Sequence, residues 1–147
     1  MRKKLISIIL ALFLICSILI ALYAYGNNFS KFESQFMDEY YKLIENIYSK
    51  DADDILFRLQ SKQNADILAN MNKILNDNKD IRKGHKEKFD KLYELYTGLV
   101  DLKDAYGNYS SLDLDTQLYL NSQLTYIYVY KSQLEYDKKQ KESKNAK

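Results

Sequence analysis

No proline occurs in these 147 residues, and from Phe29 to Tyr136 apolar side chains recur at intervals of three and four. Proline is the commonest helix breaker, and a three-four recurrence lays apolar groups along one face of a 3.6-residue helix. The pattern predicts an all-α fold whose helices are separated by polar and glycine-containing turns.

Four helices follow from it. Phe29, Phe32, Phe36, Tyr40, Leu43, Ile44 and Ile47 share one face of a helix over about 29–49. Asp51 can cap a second, with Asp53 and Asp54 in its first turn. In that helix Ala52, Leu56, Leu59, Ile67, Met71, Ile74 and Ile81 make one stripe, and Phe57, Leu68 and Leu75 an offset one. It is expected to touch two neighbours and to end near Lys83, with Gly84 as its C-cap. The third, about 85–106, places Phe89, Leu92, Tyr93, Tyr96, Leu99 and Val100 on one side, with Leu95, Leu102 and Tyr106 to the flank. Gly98 in its interior costs about 1 kcal/mol of helix stability and permits a neighbour to approach closely. Gly107-Asn108 closes it. Ser110 or Ser111 caps the fourth, with Asp113 placed as in a capping box, and that helix is expected to fray near residue 140. Short connections favour antiparallel neighbours, so residues 27–136 read as an antiparallel up-down four-helix bundle. The alternative is a three-helix bundle in which the first helix prolongs the segment before it.

That preceding segment, residues 1–26, has a different character. Leu5 to Ala24 is uncharged over 20 residues, long enough as a helix to span about 30 Å, the hydrocarbon thickness of a bilayer. Arg2, Lys3 and Lys4 precede it and should stay cytoplasmic. The segment reads as a single-pass anchor in a bacterial cytoplasmic membrane, with the rest of the chain outside. A cleaved signal is the competing reading, because Ala24-Tyr25-Gly26 resembles a small-x-small site, although signal cores usually run only about 7–15 residues. Cys16, the only cysteine, sits within the apolar run. It is poorly placed for lipidation, and it leaves the body with neither disulfides nor a Cys-ligated metal.

The net charge of +2 conceals three regions. Residues 27–136 carry 14 basic and 18 acidic side chains, whereas 137–147 carry five lysines against Asp137 and Glu142 and read as a disordered tail. A mildly acidic body lacks the basic stripe that nucleic acid requires. The abundance of Lys, Asn, Ile and Tyr fits an AT-rich bacterial genome, which warns against reading every tyrosine as functional.

Catalytic and metal chemistry finds little support. His85 is the only histidine, so one chain holds no His-His pair, and its place at a helix start suggests a solvated or capping role. Asn76, Asn78, Asp80 and Glu87 fall at positions 1, 3, 5 and 12 of a calcium loop. Position 6, however, is Ile81 where an EF-hand needs Gly, and Lys79, Arg82, Lys83 and Lys86 oppose a cation. The carboxylates at Asp51, Asp53 and Asp54, and at Asp113 and Asp115, stand where helix starts favour negative charge. No glycine-rich phosphate loop is present. The chain is expected to be no enzyme and to need no cofactor.

One stretch departs from the amphipathic pattern. Residues 116–130 contain no charge. On a helix, Leu120, Leu124, Ile127 and Leu134 form one stripe, Tyr119, Tyr126 and Tyr130 a second, and Leu118, Val129 and Tyr136 a third. A helix apolar nearly all round is enclosed by neighbours or covered by a partner. The simpler reading packs it centrally with tyrosine hydroxyls at the rim. The sharper one leaves Tyr119, Tyr126 and Tyr130 exposed as a binding stripe. With the anchor, this suggests an envelope protein working by protein–protein contact with an unknown envelope protein or by self-association, as an adaptor, a complex subunit or an immunity-type protein. The alternatives are an extracytoplasmic ligand-sensing bundle and, with a cleaved signal, a secreted effector or adhesin.

Overall fold

The computed structural model describes residues 26 and 28–145, and all regular structure among them is helical. The first helix, α1, spans 28–47, close to the extent its spacing predicts. Its whole apolar face, from Phe29 to Ile47, is buried. Each such side chain contributes about 1.5–3 kcal/mol of transfer free energy on full burial, which makes α1 the main source of the core.

The predicted second helix is in fact three elements: α2 (Ala52–Arg58), α3 (Lys62–Asp77) and a 3-10 turn (Lys79–Lys83). No proline or glycine causes the break after Arg58. Polar side chains satisfy the carbonyls that a continuous helix would have bonded. Gln60 Nε2 donates to Leu56 O at 3.1 Å and to Lys103 O at 2.8 Å, and Asn64 Nδ2 donates to Arg58 O at 2.9 Å. Ser61 then restarts the helix by accepting from the Asn64 amide. The interruption re-aims α2 relative to α3. Leu56, Leu59, Ile67 and Met71 stay in the core with Leu68 and Leu75, whereas Phe57 turns outward onto Tyr106, ring centroids 6.1 Å apart. Past α3, the 3-10 turn ends at Lys83 with Gly84 as its C-cap, as expected, but at φ −112° and so without the left-handed conformation.

Helix α4 (Lys86–Asp104) buries Phe89, Leu92, Leu99 and Leu102, while Tyr93, expected on its inner side, is exposed. Gly107, at φ 80°, supplies the left-handed residue that closes the turn after it. A second 3-10 turn (Tyr109–Ser111) takes up the two serines expected to cap the last helix. The cap is Asp113 instead: its carboxylate accepts from Thr116 N at 2.9 Å and Thr116 Oγ1 at 2.7 Å, and these bonds hold its carboxyl below the usual range. Helix α5 (Leu114–Asn145) runs past residue 140, so 137–145 continue it where a disordered tail was expected. Lys138 in that extension pairs with Glu45 of α1.

The described chain is thus a helical bundle of five α-helices, not four, with α1 at its centre. Phe32 stacks on Phe89 of α4 at 5.3 Å, Tyr40 meets Tyr130 of α5 edge-on at 4.9 Å, and Asn46 bonds Asn64 of α3 at 3.1 Å. Helices α4 and α5 run in opposite directions, as the pairing of Asp101 with Tyr119 and of Gly98 with Gln123 requires. No helix among the described residues is long and apolar enough to cross a membrane. The expected anchor, residues 5–24, lies outside them.

Candidate functional site

Helix α5 is not the enclosed helix that the simpler reading of 116–130 expects. It buries Leu120, Leu124 and Ile127 against the core and leaves its other two stripes toward solvent or α4. The tyrosine stripe faces α4. Tyr119, Tyr126 and Tyr130 together line one groove of about 440 Å³, whose other walls are Lys91, Glu94, Leu95 and Thr97 of α4 and Gln123 of α5. The structure therefore brings all three sequence-predicted residues into one site.

Beside the groove, α4 and α5 approach closely at Gly98. A Cβ there would stand 2.0 Å from Gln123 Oε1 and 2.7 Å from its Cδ, so any other residue would require the end of that side chain to move. On either side of this contact the tyrosines have different tasks. Tyr119, 42% exposed, donates its hydroxyl to Asp101 Oδ2 at 2.8 Å. Its pKa is pushed up to about 12, first by burial, then by the Asp101 hydrogen bond and the nearby charges of Asp101 and Glu94. Tyr130 forms the inner end, with its ring against Tyr40 and against Tyr41 at 6.0 Å. Burial raises its pKa, with Tyr126 adding to the effect, and burial likewise raises Tyr40. Between these fixed ends Tyr126 is 48% exposed.

With their pKa values raised, the phenols of Tyr40, Tyr119 and Tyr130 are neutral near pH 7. The groove thus offers ring faces and hydroxyls flanked by carboxylates at Glu94 and Asp101, while Lys91 pairs with Glu87 at 3.1 Å. That chemistry suits contact with an apolar or aromatic segment carrying polar groups at its edge. Asp101, Glu94, Leu95 and Gln123 escaped the sequence reading. The spacing of 91, 94, 95 and 98 places them on one face of α4, and Gly98 was the signal that a neighbour crosses there.

The other candidates lie elsewhere. His85 occupies the N-cap position of α4, with its ring 4.5 Å from Phe29. Of the calcium-loop candidates, Asn78 Nδ2 donates to Ile74 O, Asp80 pairs with Lys83, and Glu87 pairs with Lys91. No group of three or more His, Cys, Asp or Glu among the described residues could hold a metal ion. Asp51 caps α2 through the Asp53 amide, and Asp54 pairs with Arg58 at 2.8 Å. Compared with known proteins, the chain matches no protein-family model, no curated protein and no solved structure.

Proposed function

We propose that this protein is a membrane-anchored, extracytoplasmic helical bundle of a bacterial cell envelope that works by protein–protein contact, as an adaptor, a complex subunit or an immunity-type protein. The observation that carries this reading is the tyrosine groove. Three tyrosines on one uncharged stretch of α5 converge on a cleft beside the close α4–α5 contact at Gly98, with two of them more than two-fifths exposed. Tyrosine combines a large contact area with a hydroxyl and few rotatable bonds, which is why it recurs at binding hot spots. The anchor rests on the uncharged run Leu5–Ala24 behind Arg2, Lys3 and Lys4. A role by contact instead of catalysis fits a site whose ionisable walls are phenols, ion pairs and exposed carboxylates.

The test places a photo-crosslinking residue at Tyr126 in the full chain, in its native membrane, with the exposed position Lys73 on α3 as the comparison. The expected result is one stoichiometric adduct from position 126, absent from 73 and lost when Tyr119 is also changed to alanine. A chain that stays free at both positions would reject the contact reading, and a mature chain starting at Asn27 and released into the medium would reject the anchored one.

A further inference from the structure

The third stripe of α5 lies on a different face from the groove. Leu118, Ser122, Thr125, Val129, Ser132 and Tyr136 are spaced four, three, four, three, four, and all six are exposed. The large members are bare to solvent: Leu118 by 58%, Val129 by 57% and Tyr136 by 58%. From Leu118 to Tyr136 the five spacings average 3.6 residues, so the stripe is a straight seam along one exposed face of α5. The polar members suit burial. Ser122 Oγ donates to Tyr119 O at 2.6 Å, Thr125 Oγ1 to Asn121 O at 2.9 Å, and Ser132 Oγ to Tyr128 O at 2.9 Å. Covering the seam would therefore strand none of their hydroxyl donors.

We infer that this seam pairs with the same seam of a second copy, running antiparallel. The charges at its two ends choose the occupant and its direction. The next seam position before Leu118 is Asp115, and the next after Tyr136 is Lys139. Among the described residues neither carries an ion pair, and both are exposed. Antiparallel pairing about a two-fold axis near Ile127 sets Leu118 of one copy against Tyr136 of the other, Ser122 against Ser132, and Thr125 against Val129. In the same register Asp115 faces Lys139 at both ends. Parallel pairing would stack Asp115 on Asp115 and bring the lysine-rich ends of both helices together, which like-charge repulsion disfavours. The serines and threonines at mid-seam let the helices approach closely, and the larger side chains close the ends.

Disulfide trapping in the full chain tests this. With Cys16 replaced by serine, two differently tagged chains carrying Leu118→Cys and Tyr136→Cys are co-expressed in membranes and oxidised. The expected product is the mixed disulfide, in at least tenfold excess over the self-linked product of either chain. Both substituted positions are exposed, and an unchanged circular-dichroism melt establishes that the variants fold. Efficient self-linking of Leu118→Cys would mean a parallel pair and overturn the proposal. Folded chains giving no mixed product would show that the seam is bare or covered by something other than a second copy, and would overturn it too. Charge exchange supplies a second reading: Asp115→Lys and Lys139→Asp should each lower the trapped yield several-fold, and the double variant should restore it. A double variant as poor as the singles would reject the register.

Discussion

The hydroxyl of Tyr119 on α5 donates to the carboxylate of Asp101 on α4 at 2.8 Å, joining the two helices at the outer end of the tyrosine groove. Burial and this bond push the Tyr119 pKa up to about 12, against about 10 for a free tyrosine. The folded state thus holds the phenolic proton more tightly than the unfolded one. Its contribution to stability is complete below pH 10 and is lost as pH rises through 12. Subtracting the tyrosinate absorbance titration of Tyr119→Phe from that of the parent should reveal one phenol ionising well above pH 10. Because the site is partly solvated, Tyr119→Phe should cost only about 0.5 kcal/mol in denaturant titration. A Tyr119 that ionises near pH 10 would count against the bond.

Gly98 and Gln123 form the other link between these helices. Replacing a mid-helix glycine by alanine ordinarily gains about 1 kcal/mol of helix propensity. Here the new Cβ would collide with the Gln123 side chain, with Cγ also tight at 3.1 Å. Gly98→Ala alone should therefore gain less than this, because the Gln123 side chain must swing aside. In a Gln123→Ala background the same change should stabilise by about 1 kcal/mol, a coupling that a double-mutant cycle reads directly. Additivity of the two changes would mean that the helices do not meet at this residue.

The two aromatic positions Phe36 and Tyr126 should behave oppositely. Phe36 is fully enclosed in the centre of α1, so Phe36→Ala should lose about 3–5 kcal/mol through lost transfer energy and a cavity. Tyr126 stands half in solvent, and Tyr126→Ala should stay within about 0.5 kcal/mol of the parent. Thermal melts of the two variants make the comparison. A large loss at Tyr126 would return α5 to the centre of the bundle and remove its tyrosines from consideration as a contact surface.

This contrast shows what a single chain discloses. Helix α1 was legible because its seven apolar positions define one narrow face, and no polar residue competes with them. The groove was half legible: the missing charge over 116–130 marked Tyr119, Tyr126 and Tyr130, but their companions on α4 depend on how two helices 20 to 30 residues apart meet. Which of the two helices is enclosed could not be read, since α5 is apolar on three sides and hydropathy does not say which side a neighbour takes. The cap of α5 was misassigned because Ser110, Ser111 and Asp113 all make competent caps. The backbone decides among them by spending the serines on a 3-10 turn.

The break between α2 and α3 was the least legible feature, and it yields the last prediction. Asn64 is buried at the junction. Its Nδ2 donates to Arg58 O at 2.9 Å, its Oδ1 accepts from Asn46 Nδ2 at 3.1 Å, and its amide bonds the Ser61 cap. The side chain thus holds the interrupted turn to α1, which nothing in the local sequence announces. Asn64→Ala would leave the Asn46 amide without its partner and the Arg58 carbonyl with only the Ser61 amide, at a cost of about 1–3 kcal/mol. Asn64→Asp would keep the acceptor for Asn46 but turn a carboxylate oxygen toward the Arg58 carbonyl, so it should be no milder. Hydrogen exchange should localise the loss to 56–64 in both variants, leaving the α4–α5 contact protected. Uniform loss of protection across the bundle would instead mean that α2 and α3 do not open as a unit separate from the rest.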